Sequence, residues 1–151
     1  MKKSLCAILV MLALGLGAFA HAQDFSLSVR NLDLFVFSIE AEYDPIPQLG
    51  IMVGAAQTPL FNVSNWWWLV VGAGWFDNPD HSGLFVAGRA FIPISNNPSL
   101  SQELYLVTTL GGRWIASRIL QLDVELGLFW PIRPQYNSPE LMISLGFGAR
   151  F

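Results

Sequence analysis

Residues 77–82, Asp-Asn-Pro-Asp-His-Ser, place two carboxylates, an imidazole and a hydroxyl within one short stretch. These are the parts of a Ser–His–acid relay, in which an oriented imidazole takes the proton of a hydroxyl that then attacks. The spacing argues against that chemistry. His81 and Ser82 are adjacent, so in an extended segment their side chains diverge, and the stretch reads as a polar turn. Asp77, Asn78 and Asp80 could offer oxygens to Ca²⁺, but the spacing falls short of a calcium loop. Two histidines (His21 and His81) and one cysteine (Cys6) give no metal-ligand set. No metal and no cofactor is expected.

A second constellation is spread through the chain. In residues 120–130, Leu120, Leu122, Val124, Leu126, Leu128 and Trp130 alternate with Gln121, Asp123, Glu125, Gly127 and Phe129. A period of two is the signature of a β-strand, so both carboxylates share one face and the aliphatic side chains the other. The same division, with no shift of register, gives apolar faces of Phe35, Phe37, Ile39, Ala41, Tyr43; Ile51, Val53; Trp67, Leu69, Val71, Trp75; Leu84, Val86, Ile92; and Leu104, Leu106, Leu110, Trp114. Every intrastrand charge then falls on the opposite face: Arg30, Glu40, Glu42, Arg89, Glu103, Arg113, Asp123, Glu125 and Arg150. Such groups around a common axis can form a packed ionic network, because unpaired buried charges are costly. They can also line a narrow polar path. The residues leave open which arginine meets which acid. Inward glycines (Gly50, Gly54, Gly72, Gly74, Gly111, Gly127, Gly146, Gly148) are expected to make room for large side chains.

The elements that would hold these residues are eight strands bounded by turn formers, approximately 24–30, 33–44, 48–56, 66–76, 83–94, 102–116, 119–130 and 140–151. Residues 24–44 could also be one long strand. The eleven residues 141–151 alternate without a break and end on Phe151.

The N-terminal segment reads as an export signal: Lys2 and Lys3, an apolar run from Leu5 to Leu16, and Ala20-His21-Ala22 before Gln23. Residues 1–22 are therefore expected to be a signal peptide and 23–151 one domain. With the leader go both lysines and Cys6, so no disulfide is expected. Eleven acidic residues against eight basic ones leave an acidic domain, which argues against a nucleic-acid partner. Mean hydropathy is +0.46, yet no segment after the leader is a continuous apolar run long enough for a spanning helix. A closed barrel is the other architecture that satisfies every backbone group in lipid.

Alternating strands, two rims of aromatics and a closing strand that ends on Phe151 resemble the small bacterial outer-membrane β-barrels, such as the OmpA transmembrane domain, OmpX and OmpW-like proteins. The resemblance covers the whole chain after the leader in pattern, with no further family motif. It implies an all-β fold: a single eight-stranded antiparallel transmembrane barrel in the bacterial outer membrane, both termini periplasmic. It also implies that Phe151 serves as an assembly signal, and that outer-membrane lipids and the barrel assembly machinery are the partners of a monomer. The girdle would comprise Phe35, Trp67 and Trp130 at one rim, with Phe25, Tyr43, Trp75, Trp114 and Phe151 at the other. Trp66-Trp67-Trp68 suits interfacial anchoring. The alternative fold is a soluble barrel or sandwich similar to a lipocalin, its apolar face inward. Against it stand the aromatics on the charged face (Phe85, Phe91, Tyr105, Phe129) and the absence of lysine after the leader.

Three roles follow: a structural, envelope-maintaining barrel with a filled lumen; a narrow pore or conduit for small hydrophobic ligands; or a lipid A-modifying enzyme. For the third, the resemblance to the outer-membrane lipid A deacylases fails at its motif. That family has one residue between His and Ser on a strand, whereas His81 and Ser82 adjoin in a turn. The expectation is a non-enzymatic barrel of the first kind, supported by short loops.

Overall fold

The computed structural model describes residues 25–32, 36–57, 67–94, 104–116, 119–132 and 138–151. The expected leader (1–22), Phe35, Trp66 and Glu103 lie outside the described residues. The strands are β1 (Phe25–Leu32), β2 (Val36–Ile46), β3 (Leu49–Gln57), β4 (Trp67–Phe76), β5 (Gly83–Pro93), β6 (Leu104–Ala116), β7 (Leu120–Ile132) and β8 (Glu140–Arg150). Each pairs with its sequence neighbour, antiparallel, and β8 pairs with β1 to close the barrel. Closure leaves no strand edge unpaired.

The expected strands are found with small shifts at their ends, and one shift has a physical cause. Residues 24–44 contain two strands, with Phe25 opposite Tyr43 and Leu32 opposite Val36. β2 then continues through Pro45 to Ile46, beyond the expected end at 44. The register slips between Tyr43 and Ile46. A proline, which has no N–H to give the ladder, is tolerated at such an irregularity.

The alternation decides which face goes where. On β7, Leu126 is 53% exposed while its neighbour Glu125 is 1% exposed; on β8, Phe147 is 61% exposed while Ser144 is fully buried. Leu84, Val86, Leu110, Leu141 and Ile143 all stand on the outside. The apolar face is therefore outermost, which overturns the lipocalin-like alternative. A water-soluble barrel would turn that face to its core.

The interior has three layers. Toward the strand ends at Gln57, Trp67 and Pro93, Ala56, Trp68, Val70, Phe91, Val107 and Met142 form an apolar cluster, with Val36, Tyr105 and Phe129 packed on it. The middle layer is charged. Toward the end that carries both termini lie Met52, Phe76, Phe85 and Ala87. Inward glycines are covered by these side chains. A Cβ on Gly111 would come within 2.6 Å of the Phe85 ring, and one on Gly146 within 3.2 Å of Arg30 and Asp123.

Candidate functional site

The charged layer is built by β1, β2, β5, β6 and β7, each contributing residues of one parity. Arg89 reaches across the lumen from β5. It donates from Nε to Glu40 Oε2 at 3.1 Å, from Nη1 to Glu125 Oε2 at 2.7 Å and from Nη2 to Glu125 Oε1 at 3.0 Å. Its Nη1 also reaches Thr109 Oγ1 at 3.3 Å. Arg30, from β1, donates to Asp123 Oδ2 at 2.5 Å and to Glu125 Oε1. Its Nε lies 3.1 Å from Glu40 Oε2 without the alignment of a hydrogen bond. Ser38 and Gln121 support the acids, donating to Glu40 Oε1 at 2.8 Å and Asp123 Oδ2 at 2.9 Å.

Arg113 extends the network toward the termini. It forms a two-pronged fork with Glu42, Nη1 to Oε1 at 2.7 Å and Nη2 to Oε2 at 2.8 Å. It also donates from Nε to Asp123 Oδ1 at 2.8 Å, its direct partner in the β6–β7 register. The guanidinium lies over Phe76, 4.5 Å from the ring centroid, and 5.5 Å from that of Phe85. A planar cation placed this way is held by hydrogen bonds at its edge and by the ring quadrupoles of the neighbouring aromatics. Arg150 is farthest along, donating to Asp44 Oδ2 at 3.0 Å and to the Asp80 carbonyl.

The structure thus brings Glu40, Glu42, Arg89, Arg113, Asp123 and Glu125 into one connected array with Arg30, and joins Arg150 to it through the Asp44–His81–Glu42 group. Sequence reasoning ended the second strand at Asp44 and left it out of the charged face. The signal was present, since Asp44 continues the spacing of Glu40 and Glu42.

The polar-turn reading of 77–82 needs a correction. Asp77, Asn78, Pro79 and Asp80 are exposed, but His81 is fully buried. Its backbone adopts φ 59°, the left-handed region, and the nearby Gly83 has φ 88°. That reversal turns the imidazole into the barrel mouth, where it stacks on Phe76 at 4.2 Å and sets Nδ1 3.2 Å from both Glu42 Oε1 and Asp44 Oδ1. Periodicity cannot find such a residue, because it belongs to no strand. The Ser82 hydroxyl turns elsewhere, donating to Asp80 Oδ1 at 2.7 Å. Ser82 Oγ–H and N–H together hold the exposed Asp80 carboxyl below the usual carboxylate range. The imidazole faces carboxylates and not the hydroxyl.

On the outside, Trp75 and Trp114 are exposed toward the end where Phe25 and Phe151 pair, Trp130 is exposed toward the opposite end, and Trp67 and Tyr43 are half-buried. Phe151 is 72% exposed. Its backbone N–H donates to Phe25 O at 2.8 Å and its ring stacks on Phe25 at 6.3 Å, so Phe25, expected on the open rim, is covered.

The barrel is similar to the N-terminal β-barrel domain of Pseudomonas aeruginosa OprF. The TM-score is 0.62 at 12% identity, covering 85% of this chain and 96% of that one. The fold is that of the small outer-membrane barrels. Another such barrel, the Yersinia pestis outer membrane protein Ail, gives a TM-score of 0.50 at 14% identity over 85% of this chain and 99% of that one. No protein-family model and no curated relative matches the sequence.

Proposed function

We propose that this chain is an integral outer-membrane barrel with a structural, envelope-maintaining role, its lumen closed by its own side chains. One observation carries the reading: the arginines of the middle layer satisfy their charges on carboxylates from opposite walls, between two apolar layers. A conducting lumen needs polar groups with hydration to exchange, whereas these groups are saturated by one another. The exposed aliphatic belt supports contact with acyl chains. The tryptophans near both ends of the strands support a girdle at each lipid interface. Both termini then lie on the periplasmic side, the assembly machinery is the partner in insertion, and the barrel is a monomer.

The test is reconstitution into a planar lipid bilayer. The expected result is a flat current with no discrete openings at voltages where an open barrel of the same strand number conducts. Reproducible unitary steps that Glu125→Leu and Arg89→Met alter would establish the conduit instead. A change in lipid A acyl composition on mass spectrometry after overexpression would establish the enzyme.

A further inference from the structure

We propose that Glu42, Asp44 and His81 form a divalent-cation site of the zinc class at the end of the barrel that carries the termini. Their ligand-capable atoms, Glu42 Oε1, Asp44 Oδ1 and His81 Nδ1, lie within 4.8 Å of one another. Nδ1 is 3.2 Å from each oxygen. Ligands bound tetrahedrally to Zn²⁺ at about 2.0–2.1 Å stand about 3.3 Å apart, so both separations match a ligand edge. The third pair, Glu42 Oε1 and Asp44 Oδ1, lies within 4.8 Å, and water would supply the fourth corner.

Two observations beyond proximity point to a bound cation. First, Asp44 Oδ1 is buried, its side chain 5% exposed, and accepts no hydrogen bond although it is aimed at the imidazole. One Nδ1–H lies between two carboxylate oxygens and can satisfy only one in good alignment. A metal ion in the same place satisfies all three atoms. Second, the described interior is short of positive charge. Arg30, Arg89, Arg113 and Arg150 face Glu40, Glu42, Asp44, Asp123 and Glu125, four cations against five anions. Arg30 and Arg89 share Glu40, Glu125 and Asp123, Arg113 spans Asp123 and Glu42, and Arg150 meets Asp44, so the surplus negative charge is shared along a run of contacts that ends at the group around His81. Burying an uncompensated charge is costly, and a cation there removes the cost.

The surroundings suit a ligand set. Arg113 donates to both Glu42 oxygens and Arg150 to Asp44 Oδ2, which fixes the carboxylates from outside as partners of metal ligands do. Each carboxylate oxygen keeps a lone pair free for the ion. The left-handed backbone at His81 and the Phe76 stack fix the ring orientation. Imidazole nitrogen with two carboxylate oxygens is a borderline donor set, suited to Zn²⁺ above Ca²⁺ or Mg²⁺. Binding requires an unprotonated Nδ1 and releases its proton.

The test is calorimetric titration of tag-free protein, purified folded in detergent and stripped with chelator, with ZnCl₂. The expected result is one Zn²⁺ per barrel, with affinity reduced more than about 100-fold in both His81→Asn and Asp44→Asn, beyond the cost of losing an outer partner. Asparagine tolerates the left-handed conformation, so His81→Asn keeps the turn. Unshifted heat-modifiable migration of both variants confirms the fold. Absence of saturable uptake by the folded barrel overturns the proposal. Binding that survives both substitutions also overturns it, and assigns the ion to exposed Asp77 and Asp80.

Discussion

The charged middle of the lumen and the apolar layer around Trp68 are both made by inward-facing residues of the strands, yet they hold the barrel together by different physics. In the middle layer each guanidinium serves two acids, and Glu125 alone meets both Arg89 and Arg30. Around Trp68, Phe91, Val107 and Met142 the contacts are chiefly between apolar surfaces. The first region depends on the identity of each partner, the second on the summed size of its side chains. Specificity of register therefore resides in the middle layer, since a slip by one residue would drive arginines and carboxylates out into the aliphatic belt.

The largest expected effect comes from breaking the middle layer at its busiest acid. Glu125→Leu leaves Arg89 and Arg30 buried with too few acceptors and should cost about 3–5 kcal/mol. The urea-unfolding midpoint in lipid or detergent reads it, and a midpoint equal to wild type would erase the distinction between the two regions. The comparison sharpens with substitutions that conserve shape. Glu125→Gln keeps the volume but removes the charge and should still destabilise strongly, whereas Met142→Leu should cost less than about 1.5 kcal/mol. Equal losses from the two would mean that packing governs both layers. Phe151→Ala, at the closing seam, removes the ring stacked on Phe25 but leaves the backbone pair between those residues intact. A loss of about 1 kcal/mol is expected. Measured as a shift in the temperature of heat-modifiable migration, a drop as large as that of Glu125→Leu would place the seam above the ionic layer.

The contrast also explains what the amino-acid order reveals. Strand number, antiparallel order and the inside–outside division follow from alternation, because a charge such as Asp123, set between Leu122 and Val124, has only one permissible side. The partners of Arg30, Arg89 and Arg113 do not follow. These side chains cross the lumen, so Arg89 on β5 meets Glu40 on β2 and Glu125 on β7, pairings that no neighbouring-strand register encodes. His81 is harder still. Its inward turn depends on one left-handed backbone position, and local composition favours a solvated loop equally well.

The smallest effect lies outside both layers, at the rim, and gives a reference for them. Ser82→Ala removes the hydroxyl that donates to Asp80, whose carboxyl is held below its ordinary range by that bond and by the Ser82 amide. A group whose pKa is lowered on folding contributes stability above its unfolded value, and the contribution disappears as pH falls through the folded one. The substitution should therefore raise the Asp80 midpoint toward the ordinary carboxylate value, as read by carboxyl chemical shifts on acidification. It should narrow the difference in stability between neutral and acid pH only slightly, because Asp80 is exposed and water screens it. If this variant lost as much as Glu125→Leu, exposure would not be what separates a rim contact from a lumen contact. The two regions would then differ in number of bonds and not in kind.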